Sequence, residues 1–359
     1  MHPFLIFSDL HVHAHRKDTK RLDDCLRVLE WVFETALKKG IKDVVFLGDL
    51  FHDRTRIEIN TFHEVYKLFE KYLDKPKFKL WLLLGNHDLY NHDKLDVYSP
   101  KFLGGFSGVE VIDQPGTRLV GGSAIDFLPY THHPIDDLKT LASVSAPAGQ
   151  KKILGTHLAV DGARLNSFGT LSDVIVEHEG EMVKIAPELF SPWDKVWSGH
   201  YHGTQVLGNF EYVGSPLELT RSETRQQKHL VLFHPDTLKT EYIINDFSPV
   251  HLILDPGDLD KHKLDGNFIT LNVSARMPSV EIADIRRKII AENKVGSLEV
   301  KIVKEETKEQ VVIDAKAIMM DEKKMLERYV EQTLEYGMDR TTCLSVGNLI
   351  CQQATDGMK

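Results

Sequence analysis

Five short apolar runs in this chain stop at polar side chains able to hold a metal ion. FLIF (4–7) runs into SDLH (8–11), VVFL (44–47) into GDLFH (48–52), and LWLLL (80–84) into GNHD (85–88). KILGT (152–156) then leads into GTH (155–157), and KVWSG (195–199) into GHYH (199–202). Apolar runs of this length between turn residues read as buried strands. Ligands of open α/β sheets gather in the crevice outside the carboxyl ends of the strands, so a layered sheet fold can bring all five segments to one place. The glycine that precedes most of these polar groups lets the chain turn sharply and leaves room beside the backbone.

The intervening sequence is helical in pattern, which gives an α/β layered class. Leu22, Leu26, Leu29, Phe33 and Ala36 repeat at offsets of four and three, one face of a helix, and Gly40 closes it. Further strands are expected at 109–112, 124–130, 210–214, 229–233 and 240–244. Periodicity fades across 246–267, where Pro, Gly and Asp accumulate. The 359 residues therefore divide into 1–248, then 249–318 with a β-α-β pattern (268–275, 280–294, 297–305), then 319–359. In that last segment Leu326, Tyr329, Val330, Thr333 and Leu334 form one helical stripe, and a short helix follows around 341–353.

Composition removes several classes. At 42% hydrophobic and 27% charged, with no apolar run near the roughly 20 residues needed to cross a bilayer, the chain is expected to be a globular protein without membrane spans. The first residues lack the pattern of a secretion signal. Cys25, Cys343 and Cys351 are odd in number and form no Cys-x-x-Cys pair, which fits a reducing interior. The expected location is the cytoplasm. The net charge of −9 is not that of a nucleic-acid-binding module, so any such partner would need a local basic patch, bound metal or a second protein.

Asp9, His11, Asp49, Asn86, His157, His200 and His202 offer oxygen and imidazole donors and no thiolate, which suits Mn²⁺, Mg²⁺, Fe²⁺ or Zn²⁺ and disfavours a soft metal. Seven donors exceed the needs of one ion. They suit two ions about 3.5–4 Å apart that share a carboxylate, an arrangement that generates a nucleophile from water and neutralises phosphate. Strand parity alone places Asp9, His11, His13 and His15 on one face and does not separate them. A lone histidine is more often an ordinary polar residue than a ligand, and it is the ordered set of five motifs that points to metal chemistry.

In these motifs the chain resembles the calcineurin-like metallophosphoesterases, whose pattern D-x-H, G-D-x-x, G-N-H-[DE], H, G-H-x-H runs in this order over residues 9–202. The resemblance implies a β-sandwich flanked by helices. It assigns Asp9, His11, Asp49 and His202 to one ion and Asp49, Asn86, His157 and His200 to the other, with Asp49 as the bridge. It makes His87 the residue that orients the phosphate or protonates the leaving oxygen, with Asp88 as its supporting carboxylate. His13 and His15 are left without a ligand role, and the resembling nucleases commonly carry glycine where this chain has His13.

GDLFH, with His52 three residues past Asp49, resembles the SbcD-type DNA repair and recombination nucleases, as do VWSGHYHGTQ (196–205) and YVGSPLELTRSE (212–223). That likeness implies that His52 stabilises charge on the phosphate. It implies a nuclease domain at 1–248, a DNA-facing cap at 249–318, and a helical segment at 319–359 that docks on an SMC-like ATPase of the SbcC type. It also implies exonuclease and endonuclease activity with Mn²⁺ and a homodimer through the helix at 61–73, whose Phe62, Val65, Phe69 and Tyr72 could equally pack on the core. Arg16, Lys17, Lys20 and Arg21 read either as a solvated loop or as contacts to DNA phosphates. A phosphatase on the same metal pair and a DNA-binding scaffold are the competing readings, because fold and metals do not fix the substrate.

Overall fold

The computed structural model describes residues 1–13, 20–91, 95–164, 176–178, 180–303, 341 and 344–345. Two compact units result, Met1–Val303 and Lys304–Lys359. The expected tail helices, together with His15, Arg16 and Lys17, lie outside the described residues apart from Thr341, Leu344 and Ser345.

Two six-stranded sheets form the body of the larger unit, which also holds a three-stranded and a two-stranded sheet. The first runs, edge to edge, Lys239–Ile244, His229–His234, Phe4–Phe7, Asp43–Phe46, Lys79–Leu83 and Val109–Ile112. The second runs Gln205–Leu207, Phe210–Tyr212, Lys195–Ser198, Ile153–Thr156, Ser123–Leu128 and Gly116–Val120. Side chains alternate across each strand, and the alternation assigns the layers. Phe4, Ile6, Val45, Trp81 and Leu83 point between the sheets and meet Ile125, Phe127, Ile153, Trp197 and Val213 of the second. Leu5, Phe7, Val44, Phe46, Leu80 and Leu82 point the other way, onto helices α1 (Lys20–Lys39) and α2 (Ile59–Leu73). On the far side of the second sheet, Leu154, Val196, Phe210 and Tyr212 pack with Leu138 and Leu141 of α3 (Pro134–Ser143). The result is the expected mixed α/β sandwich flanked by helices.

Phe69 and Tyr72 of α2 turn inward, with ring centroids 5.7 and 5.3 Å from Phe33, so the face defined by Val65, Phe69 and Tyr72 belongs to the core. Phe62 instead joins Tyr66 and Phe102 on the surface.

The stretch in which periodicity fades, 246–267, contains a strand. His251–Leu254 pairs in parallel with Phe268–Ser274, which pairs in parallel with Ser297–Val303. The β-α-β pattern is thus part of a three-stranded sheet with helix α4 (Ser279–Glu292) and a small apolar cluster of its own, including Leu254, Ile269, Leu271 and Ile289. The run HLIL is apolar enough for a strand, but its Pro- and Asp-rich flanks hide it.

Candidate metal centre

The parallel strands Phe4–Phe7, Asp43–Phe46 and Lys79–Leu83, and the parallel pair Ile153–Thr156 and Lys195–Ser198, each pass into a polar turn. Asp9 (φ 53°), His11 (φ 45°), Asp49 (φ 64°) and His200 (φ 89°) all take up left-handed backbone, unusual for residues with a Cβ. Such strain persists where the surroundings over-determine it. Here the Asp9 amide donates to Gly48 O and the His11 amide to Asp49 O, both at 3.0 Å, while the His200 amide donates to both Asp9 carboxylate oxygens at 3.1 Å. The glycines are also required. A Cβ on Gly48 would stand 2.5 Å from the Gly85 nitrogen, and one on Gly199 would strike Ser8 and His157.

These turns bring all seven expected ligands together. Asp49 Oδ2 lies 3.4 Å from His11 Nε2 and 3.4 Å from His157 Nε2, midway between the two halves of the cluster. Asn86 Oδ1 is 2.9 Å from His200 Nδ1 and 3.1 Å from His157 Nε2. His11 Nε2 and His202 Nε2 face each other at 3.2 Å. The donor atoms of Asp9, His11 and His202 lie within 4.8 Å of one another, as do those of Asp9, Asp49 and His157.

The electrostatics favour cations here. Asp9 and Asp49 are 0% and 2% exposed, and burying two carboxylates side by side is costly unless positive charge compensates. Burial, with Asp49 adding repulsion, raises the Asp9 carboxyl. Burial also opposes ionisation of Asp49, but His157, through its charge and its hydrogen bond, leads the neighbouring imidazoles that outweigh it and hold that carboxyl low. Burial, then His157, pushes His200 down to about 3, and burial likewise lowers His11, so both rings are in the neutral form that binds metal. His157 donates from Nδ1 to Leu47 O at 2.6 Å, which aims Nε2 inward at Asp49, and that carboxylate outweighs burial and raises the ring to about 9. Clustered carboxylate and imidazole donors, two facing Nε2 atoms and glycine turns that a Cβ would fill fit a pair of divalent ions. The residues that would hold them are the seven named.

Three histidines stand toward the outer side of this cluster. His87 donates from Nδ1 to His52 O at 2.7 Å, and its amide donates to Asp49 Oδ1 at 2.7 Å. His52 is exposed, with burial of its inner part and then His13 lowering its pKa, and its ring stacks on His13 at a centroid distance of 4.5 Å. The donor atoms of His11, His52 and His87 also cluster within 4.8 Å. Asp88, which the resemblance implied as the support of His87, makes its hydrogen bonds to backbone amides. Its fully buried carboxylate accepts the amides of Asp49 (2.8 Å), Leu50 (3.0 Å) and Gly85 (2.8 Å), so it ties two ligand turns together, and the His52 carbonyl orients His87. Burial, then Asp49, pushes that carboxyl up to about 7.

Comparison with known proteins decides the family. The calcineurin-like phosphoesterase profile matches residues 2–204, which carry every ligand turn. The chain belongs to this family. It is 26% identical to exonuclease subunit 1 of Enterobacteria phage T4, over 61% of this chain and 60% of that one. It is 23% identical to the SbcD component of the nuclease SbcCD of Escherichia coli (strain K12), over 66% of each. The chain thus spans somewhat under two thirds of the length of these relatives. A solved archaeal phosphodiesterase superposes over 68% of this chain and 99% of its own, with a TM-score of 0.34 and 11% identity, a weak likeness.

Two residues beyond the family match reach the centre and were not singled out from the sequence. Glu223 accepts from His202 Nδ1 at 3.0 Å, and Lys228 donates to Glu223 Oε2 at 2.7 Å. TRSE carries one signal, a Thr/Glu capping box, which the structure contains at Thr220 and Glu223. Arg21 settles differently from a DNA contact. It is 6% exposed, donates to Glu218 O and lies 5.3 Å over the Phe268 ring, joining α1 to the three-stranded sheet.

Proposed function

We propose that this chain is the nuclease component of a two-ion phosphodiesterase that cuts DNA. The observation that carries the reading is Asp49 Oδ2, equidistant at 3.4 Å from an imidazole of each half of the cluster, where a bridging carboxylate belongs. When bound, two divalent ions, in this reading Mn²⁺, supply an activated water and neutralise the phosphate. Asp9, His11, Asp49 and His202 would hold one, and Asp49, Asn86, His157 and His200 would hold the other. His87, with Nδ1 spent on the His52 carbonyl, keeps Nε2 to orient the phosphate and give a proton to the leaving oxygen. His52, stacked beside it, adds a donor to the same phosphate.

The names of the relatives, an exonuclease subunit and a component of the nuclease SbcCD, support a nucleic acid as the substrate and a multi-subunit assembly. In this reading residues 1–248 are the nuclease domain, 249–318 a cap facing DNA, and 319–359 the segment that docks on an SMC-like ATPase. A homodimer would form through the exposed side of α2, where Ile59 is 87% exposed beside Phe62 and Tyr66. Among the described residues no helix is long and apolar enough to cross a membrane. The place of action in this reading is the cytoplasm, as the cysteine usage suggests.

The test is a paired assay with Mn²⁺ on linear double-stranded DNA and on p-nitrophenyl phosphate, with and without the ATPase, for the full chain and a chain stopped before Asp321. DNA degradation by the full chain and loss of ATPase association on truncation are expected. Hydrolysis of the small ester with no cleavage of DNA, even with the ATPase present, contradicts the nuclease reading and favours a phosphatase.

A further inference from the structure

We infer that Glu223, held by Lys228, is a positioning residue that makes one of the two ion sites stronger than its ligands alone would. The inference rests on the two-ion reading above and concerns residues outside the 2–204 family match.

Glu223 is 3% exposed, and every contact of its carboxylate is to a donor. Oε1 accepts from His202 Nδ1 (3.0 Å), the Thr220 amide (3.1 Å) and Thr220 Oγ1 (3.2 Å). Oε2 accepts from Lys228 Nζ (2.7 Å), Ser215 Oγ (3.1 Å) and the Leu219 amide (3.1 Å). A buried acid–base pair gives little net stability, because desolvating both charges offsets their attraction. Its position explains it better. Lys228 Nζ also donates to the His202 carbonyl at 2.8 Å, so the pair grips His202 at both main chain and ring.

The ring consequence is chemical. A carboxylate on Nδ1 fixes that nitrogen as the donor, leaves the Nε2 lone pair facing His11 Nε2, and increases the ring's basicity as a ligand. Among the described residues, the other half of the centre has no such carboxylate behind a ligating ring. His157 donates from Nδ1 to a neutral carbonyl, that of Leu47, and Glu223 touches no ligand of that half. A charge at Glu223 therefore acts on the ion at Asp9, His11, Asp49 and His202 and leaves its neighbour at Asn86, His157 and His200 largely untouched. A role confined to folding would weaken both sites together.

The experiment is equilibrium dialysis of the full chain against Mn²⁺, counting bound metal per chain and resolving the two affinities, with thermal midpoints measured alongside. It compares wild type, Glu223→Gln, and Glu223→Gln combined with Lys228→Met. The combined variant removes both charges and leaves no unpaired buried ion, so it keeps the test readable if the single variant does not fold. The expected result is two ions on the wild type and, in both variants, a weakening of one ion by about 10–100-fold with the other unchanged, the usual scale for losing a carboxylate behind a ligating histidine. Wild-type affinity at both sites in the combined variant overturns the inference, and so does equal weakening of both. A wild-type chain that retains fewer than two ions overturns the two-ion reading itself, and the inference with it.

Discussion

The floor and the outer rim of the centre are built from similar side chains in opposite settings. On the floor, Asp9, Asp49 and His157 are 0–2% exposed, and the glycine turns around them have no room for a Cβ. Toward the outside, His87 and His13 are half-buried, His52 is exposed, and their rings stand over one another with centroids 4.5 Å (His13 and His52) and 5.9 Å (His52 and His87) apart. The difference teaches what each set can do. Groups sealed from water and already aimed at one another suit ions, because the cost of ordering the ligands is met by the fold before metal arrives. A ring that reaches solvent and is held from one nitrogen suits a phosphate that must enter, react and leave.

Breaking the floor should cost most. Asp49→Ala removes the oxygen shared by both halves and leaves His11 and His157 without their common partner. Metal content measured after dialysis should fall from two ions per chain to one or fewer, and phosphodiesterase activity by about a thousandfold or more, at least the scale of losing one pre-aligned electrostatic contact to the transition state.

Changes at the rim should separate metal binding from turnover. His87→Ala keeps the floor intact, so both ions should remain while kcat falls by about 10²–10⁴-fold, the range for a general acid. The smallest effect is expected for His13→Ala, which loses a ring stacked on His52 and a hydrogen bond to the His11 carbonyl at 2.8 Å. Metal content should be unchanged and activity reduced by no more than about tenfold, because such a residue acts only through the orientation of its neighbours. Metal loss in either rim variant would erase the distinction between floor and rim.

How much of this was legible in the sequence follows from where each partner lies along the chain. Asp9, His11, Asp49, Asn86, His157, His200 and His202 could be named because each sits a few residues past an apolar run, and the pattern is local even though the site is not. The α1 stripe was legible for the same reason. The resemblance implied Asp88 as the support of His87, and no local pattern could show that the turn points its carboxylate at the amides of Asp49, Leu50 and Gly85. Glu223 had no local signature beyond a capping box, since the histidine it serves is on another loop. His251–Leu254 was hidden because its strand partner, Phe268–Ser274, lies across a Pro- and Asp-rich crossover. Arg21 looked like a surface cation until α1 carried it against Phe268 and the Glu218 carbonyl.

We propose that the buried floor, and not the outer histidine cluster, holds two ions bridged by Asp49. Anomalous diffraction at the manganese edge from crystals grown with Mn²⁺ tests it most directly. Two peaks about 3.5–4 Å apart, one on each side of Asp49 Oδ2, are the expected result. A single peak, or a peak enclosed by His11, His52 and His87 in place of that pair, would contradict it.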